Sequence, residues 1–176
     1  MRAGDAILLS GDLGRHGVAV LAARSELAIE SPVESDSAPL CGPVQALLAS
    51  GAEIHCLRDL TRGGLAAALI EIAEFTRLDV RIEERAILVS DPVRSACELL
   101  GFDPLHLANE GRFVAWVAGK DADRALAALR GCAQTEGAGV IGSVIREGHG
   151  VVTLRIPMGA ERALDMLAGE QLPRIC

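Results

Sequence analysis

The sequence predicts an α+β fold, a mixed β-sheet with helices packed on it. Three observations lead there. Strand-like and helix-like patterns alternate irregularly, which a purely parallel layout would not produce. Two strand patterns, AGVIGSVIRE and GVVTLRI, follow one another late in the chain with only GHG between them, and are expected to pair. Half of the 176 residues are hydrophobic, and they are spread between charges. That is enough for one packed core. It leaves no apolar run of the ~18 residues a membrane helix needs.

Taken in order, DAILLSG reads as a buried strand from Asp5 to Ser10, and GDLGRHG as a glycine-punctuated loop. VAVLAARSEL follows as a helix. The polar, proline-containing ESPVESDSAP is the best segment for mobility. CGPVQALLAS is a helix stopped by Gly51, and EIHCLRDL a strand running into a turn. GGLAAALIEIAEFT is a strong helix with Leu65, Leu69, Ile72 and Ala73 on one face. DVRIEE alternates as a strand. DPVRSACELLG reads as a helix with Asp91 as N-cap, Pro92 at the first helical position and Gly101 past its end. RFVAWVAG is an apolar strand, DADRALAALRG a capped helix, and GAERALDMLAG a last helix.

Composition excludes some functions. Net charge is −7, from 24 acidic and 17 basic residues, with no Lys/Arg cluster and only three Phe and one Trp to stack on bases, so no nucleic-acid partner is expected. No membrane association is expected either. The opening MRAGDAILLSG lacks the length and flanks of a signal peptide. None of the five cysteines forms a C-x-x-C pair, and their spacing fits no metal pattern. These features predict free thiols in the cytoplasm. Cys97 and Cys132 fall in helical patterns and are expected in the core.

Three stretches carry possible chemistry. RDLTRGG, Arg58 to Gly64, takes a strand through a polar turn into a helix that opens at two glycines. Helix N-termini bind anions through unpaired N–H groups, and glycines permit close approach. Arg58 or Arg62 would add charge-assisted bonds, and Asp59 would reach a metal ion. The other reading is that Thr61 caps the helix and Asp59 braces the turn. In ANEGRF, Glu110 lies in a tight turn before a buried strand, beside Asn109. A carboxylate there is placed to act as a base; equally, it is a turn glutamate paired with Arg112 or solvent. GAGVIG formally matches G-x-G-x-x-G, but Val140, Ile141, Val144 and Ile145 predict strand, so its glycines are bulge or turn positions. The histidines are scattered, and His16 in GRHG is the one in a loop. Finally, EQLPRIC ends on Cys176. Six residue steps separate it from Glu170, an arm of about 20 Å if extended. Its thiolate would be a nucleophile that visits separated sites, or the end is frayed and the cysteine incidental.

Together RDLTRGGLAAALIEIAE, LANEGRFVAWV, the terminal PRIC and the opening GDAILLSGDLGRHGVAVLAARSEL resemble the carbamoyl dehydratase family of [NiFe]-hydrogenase maturation, the HypE family, over nearly the whole chain. RDLTRGG alone marks only the wider PurM-like superfamily of aminoimidazole ribonucleotide and selenophosphate synthetases. The resemblance implies a PurM-like C-terminal domain over residues 1–168 and a flexible tail over 169–176. The family's N-terminal ATP-binding domain, which supplies most ligands for ATP and Mg2+ and the homodimer contact, is expected to be absent. It implies that the carbamoyltransferase HypF loads Cys176 and that ATP activates the carbamoyl oxygen. Glu110, with Asn109, then removes the nitrogen proton to leave a thiocyanate, and cyanide passes to iron on HypC and HypD. Asp59, Thr61, Arg62, Gly63 and Gly64 match the superfamily's loop near the nucleotide phosphates. Leu60 departs mildly from the smaller residue common there. No metal ligand is assigned to this half, which is expected to be inactive alone. A selenophosphate- or ribonucleotide-type enzyme and a non-catalytic docking module are the alternatives.

Overall fold

The computed structural model describes residues 1–24 and 33–166. In chain order the main elements are β1 (Ala6–Leu9), α1 (Arg15–Ala23), α2 (Cys41–Ala49), β2 (Ile54–Asp59), α3 (Gly64–Thr76) and β3 (Leu78–Glu83). Then come α4 (Asp91–Leu100), β4 (Phe113–Val117), α5 (Ala122–Arg130), β5 (Gly139–Glu147), β6 (Val152–Arg155) and β7 (Glu161–Ala163). The strands join into one mixed sheet in the order β2-β4-β1-β5-β3-β6-β7. Among the described residues only the β3–β6 pair is parallel. The α+β expectation holds.

The central strands explain why their sequences are apolar without alternation. β1 and β4 are buried at every position, because helices cover both faces of the sheet there. On one face Ile7, Leu9, Val114 and Trp116 pack with Leu65, Leu69 and Ala73 of α3. On the other, Leu8, Ala115 and Val117 meet Leu47 of α2 and Ala125 and Leu129 of α5. α1 and α4 form a third cluster through Val18, Val93, Cys97 and Leu107. β3 alternates buried and half-buried residues, as a strand with one covered face does. The register of β1 against β5 shifts between Ile7 and Leu8, paired with Gly142 and Val140. The glycine of GAGVIG therefore sits beside a β-bulge, as expected.

Several expectations change. AGVIGSVIRE and GVVTLRI do not pair with each other; β3 lies between them. Asp79 at the start of β3 holds the connection between them. Its Oδ1 accepts the backbone N–H of His149, Gly150 and Val151 at 3.0, 3.2 and 3.1 Å, and its Oδ2 accepts from Arg146 Nε at 2.9 Å. The connection is thus wrapped around the end of β3 instead of closing as a hairpin. The last helix is also replaced, by β7, as far as Met166. A turn with Met158 at φ 81 reverses the chain, and Glu161–Ala163 pair antiparallel with the open side of β6. Leu164 is buried, its N–H bonded to the Val152 carbonyl at 2.8 Å. Residues 167–169 of that expected helix, the tail over 169–176 and Cys176 lie outside the described residues, as do residues 25–27 of the early helix.

Smaller differences are local. α1 starts at Arg15, inside the expected loop, because its first amides find partners elsewhere in the fold. Ser90, not Asp91, is the N-cap of α4, and Gly101 ends that helix at φ 72 as expected. Cys97 is buried, but Cys132 follows α5 in a turn and is half-buried. Over residues 33–39 the segment expected to be mobile is tied down, with Asp36 only 3% exposed.

Hydrogen bonding to Arg146 and to the Val151 and His149 amides holds the Asp79 carboxyl below its ordinary value of 3.8. A carboxyl that is more acidic when folded stabilises the fold above that value, and the contribution disappears as pH falls through the folded value. Asp79→Asn should therefore cost about 1 kcal/mol at pH 7. Thermal melts should show the gap to wild type closing as the pH is lowered below 3.8.

Candidate functional site

The loops after β1 and β2 and the turn before β4 meet at one end of the sheet. They are joined by backbone and side-chain bonds to the turn itself. Leu60, fully buried in the core, donates its N–H to Arg112 O at 3.1 Å and accepts from Asn109 N at 2.9 Å. The RDLTRGG and ANEG motifs, separate in sequence, are therefore one structure. Leu60, a mild departure from the smaller residue common in that loop, is the residue that joins them.

Asn109 is completely buried, and its amide is fully used. Its Oδ1 accepts from Gly14 N at 2.8 Å, while Nδ2 donates to Leu107 O at 2.9 Å and Leu60 O at 3.3 Å. Its place is in the frame of the turn. Glu110 follows it, half-buried. Gly111 donates its N–H to Asp36 Oδ2 at 2.9 Å. Arg112, whose sequence-level alternative was pairing with Glu110, instead bonds Asp12 Oδ1 through Nη2 at 2.6 Å and the Gly111 carbonyl through Nη1 at 2.8 Å. Asp12 also faces Arg15 Nε at 2.9 Å. A cleft of about 480 Å³ opens beside this turn, lined by Gly11, Asp12, Arg15, Asp36, Arg112 and Gln134 among others.

The superfamily-type loop presents its polar side chains outward. Asp59 and Arg62 are exposed, and Thr61 is half-buried. Asp59 lies 3.8 Å from Arg58, which also pairs with Glu71 at 3.1 Å. α3 opens at Gly63 without a side-chain cap; Thr61 contributes its carbonyl, accepting from Gly64 N at 3.0 Å. Gly63 and Gly64 have φ 75 and 62. At Gly64 the close approach is by the protein's own backbone. A Cβ there would lie 2.5 Å from Leu107 O and 2.7 Å from Leu105 O. Gly64 is thus needed to seat the 3₁₀ turn Pro104–His106 on the head of α3. Among the described residues no group of three His, Cys, Asp or Glu side chains could hold a metal ion.

Other nucleophiles are poorly placed. Burial pushes the Cys97 thiol up to about 11 and raises that of Cys56 as well, so their thiolates are scarce at neutral pH. His16 is the second residue of α1, its Nδ1 2.9 Å from Ser35 Oγ. Sequence reasoning missed Asp12 and Asp36. Neither lies in a motif with a local signature, and their partners are 100 and 75 residues away.

Packing at Gly111 is tight enough to test. A Cβ there would overlap the Asp36 carbonyl oxygen. Gly111→Ala should cost about 1–3 kcal/mol by overpacking, read as a lowered Tm.

The family model for AIR synthase related protein, C-terminal domain, matches residues 2–155. The carbamoyl dehydratase HypE of Azotobacter vinelandii is 49% identical over 175 residues, covering 99% of this chain and 51% of that protein. The chain thus spans about half the length of the curated relatives it matches. A structure of the hydrogenase maturation protein HypE in complex with ATP superposes with a TM-score of 0.92 at 44% identity, over 99% of this chain and 53% of that one. A HypE–HypF complex gives 0.89 at 40% identity, over 95% of this chain and 54% of that one. No helix among the described residues is long and apolar enough to cross a membrane. A sheet of this order with its two glycine-bearing loops joined at one end, matched over residues 2–155, makes this chain a member of the AIR synthase related C-terminal domain family, similar within it to the HypE proteins.

Proposed function

We propose that this chain is the C-terminal domain of a [NiFe]-hydrogenase maturation carbamoyl dehydratase. It works in the cytoplasm as part of a homodimeric enzyme. The substrate is a carbamoyl group carried as a thiocarbamate on Cys176, loaded by HypF, and the product is a thiocyanate whose cyano group goes to iron on HypC and HypD. The observation that carries the reading is the bond between Leu60 and Asn109, which sets Glu110 beside the RDLTRGG loop. The similarity to HypE proteins, including one in complex with ATP and one with HypF, supports it.

The residues present fit a nucleotide held jointly with another domain. Arg62 and Asp59 are exposed at the end of edge strand β2, where a second body has access. Arg62 would bond phosphate oxygens, with Asp59, Thr61 and the Gly63–Gly64 turn beside it in the same loop. ATP supplies the phosphoryl group that turns the carbamoyl oxygen into a leaving group. One nitrogen proton is lost as the oxygen is phosphorylated; Glu110 takes the remaining one as the C–O bond breaks, inorganic phosphate departs and C≡N forms. Asn109, closed within the frame, acts by holding Glu110's backbone. Cys176 is the attachment point; the raised thiols of Cys56 and Cys97 leave them poor substitutes.

In the enzyme that carries this domain with its nucleotide-binding half, Glu110→Gln should slow thiocyanate formation about 10²- to 10⁴-fold. Mass spectrometry should show the carbamoyl adduct still loading. Unchanged turnover would sink the assignment of the base. Cys176→Ser should abolish the adduct altogether; an adduct found on any other cysteine would overturn the carrier role.

A further inference from the structure

We propose that Asp36 is a positioning residue for Glu110, an inference that rests on the dehydratase reading above. Asp36 is 3% exposed, and both carboxylate oxygens are engaged by backbone from different parts of the chain. Oδ1 accepts from His16 N at 3.0 Å, in the first turn of α1. Oδ2 accepts from Gly111 N at 2.9 Å, in the turn that carries Glu110. The carboxylate thus occupies the anion position at the head of α1 and bridges it to the residue after Glu110.

The bridge is held from several sides. The Asp36 backbone lies so close over Gly111 that no side chain fits there. The Gly111 carbonyl is taken by Arg112 Nη1, and Arg112 is anchored by Asp12. On the other side of Glu110, Asn109 is pinned to Leu60 and Gly14. Glu110 is therefore the side chain between two immobilised peptide units, and among the described residues Asp36 ties that turn through a buried negative charge to α1. A misplacement of 1 Å at a catalytic base costs on the order of 10²-fold in rate.

Asp36→Asn keeps the shape but leaves one amide N–H group facing another donor. In the full enzyme with ATP and carbamoylated protein, D36N should lower kcat on the order of 10²-fold with KM for ATP unchanged. The double variant D36N/E110Q should be no slower than E110Q alone, because the two act as a unit. A D36N enzyme that is folded and turns over at the wild-type rate overturns the proposal, as do losses that multiply in the double variant, which mark a merely structural role. If D36N does not fold, Asp36→Glu keeps the charge but displaces the carboxylate from the His16 and Gly111 amides, and the same comparison with E110Q decides. E110Q at full rate would instead remove the base reading; E110Q slow with D36N at full rate removes only this proposal.

Discussion

The buried amide of Asn109 is the constraint on which the site end of the fold depends. One side chain ties the loop after β1, through Gly14, to the loop after β2, through Leu60, and to its own turn through Leu107. With no exposure to water, each lost bond would leave a polar group unsatisfied, at about 1–3 kcal/mol. Such a network, fully satisfied, specifies one arrangement of its loops. Here that arrangement puts Glu110 next to Leu60 and its polar neighbours.

Charge pairs complete the same corner. Arg112 is 7% exposed on its side chain and is placed against Asp12, with Arg15 close on the other side of that carboxylate. A buried ion pair is weak evidence for stability, since desolvation offsets much of the attraction. Its effect here is directional: the planar guanidinium reaches Asp12, the Gly111 carbonyl and the Gln134 carbonyl at once. The turn before β4 is thus shaped by groups from three regions of the sequence.

The two edges of the sheet are treated differently. β7 is three residues long and carries Glu161 and Arg162, a short charged edge that resists further pairing. β2 is longer, half-buried over its first four residues, and ends in exposed Arg58 and Asp59. The loop that would face phosphate therefore begins on the longer open edge, within reach of a second body.

Residue patterning alone determined the α+β class and most strand and helix positions, read the GAGVIG glycines as bulge or turn positions, and singled out Glu110, Asn109 and the RDLTRGG loop as candidates. These follow from local physics: an apolar run buried on both faces, a helical stripe at Leu65 and Leu69, a glycine where the chain must turn. Tertiary structure decided what depends on distant partners. It placed β3 between β5 and β6, where Asp79 gathers three amides some seventy residues on. It made a strand of Glu161–Ala163, because an open edge of β6 was available to pair. It recruited Asp36 and Asp12 to the turn of Glu110, which no spacing along the chain announces. A carboxylate's role is set by which N–H groups surround it, and those are known only once the chain has folded.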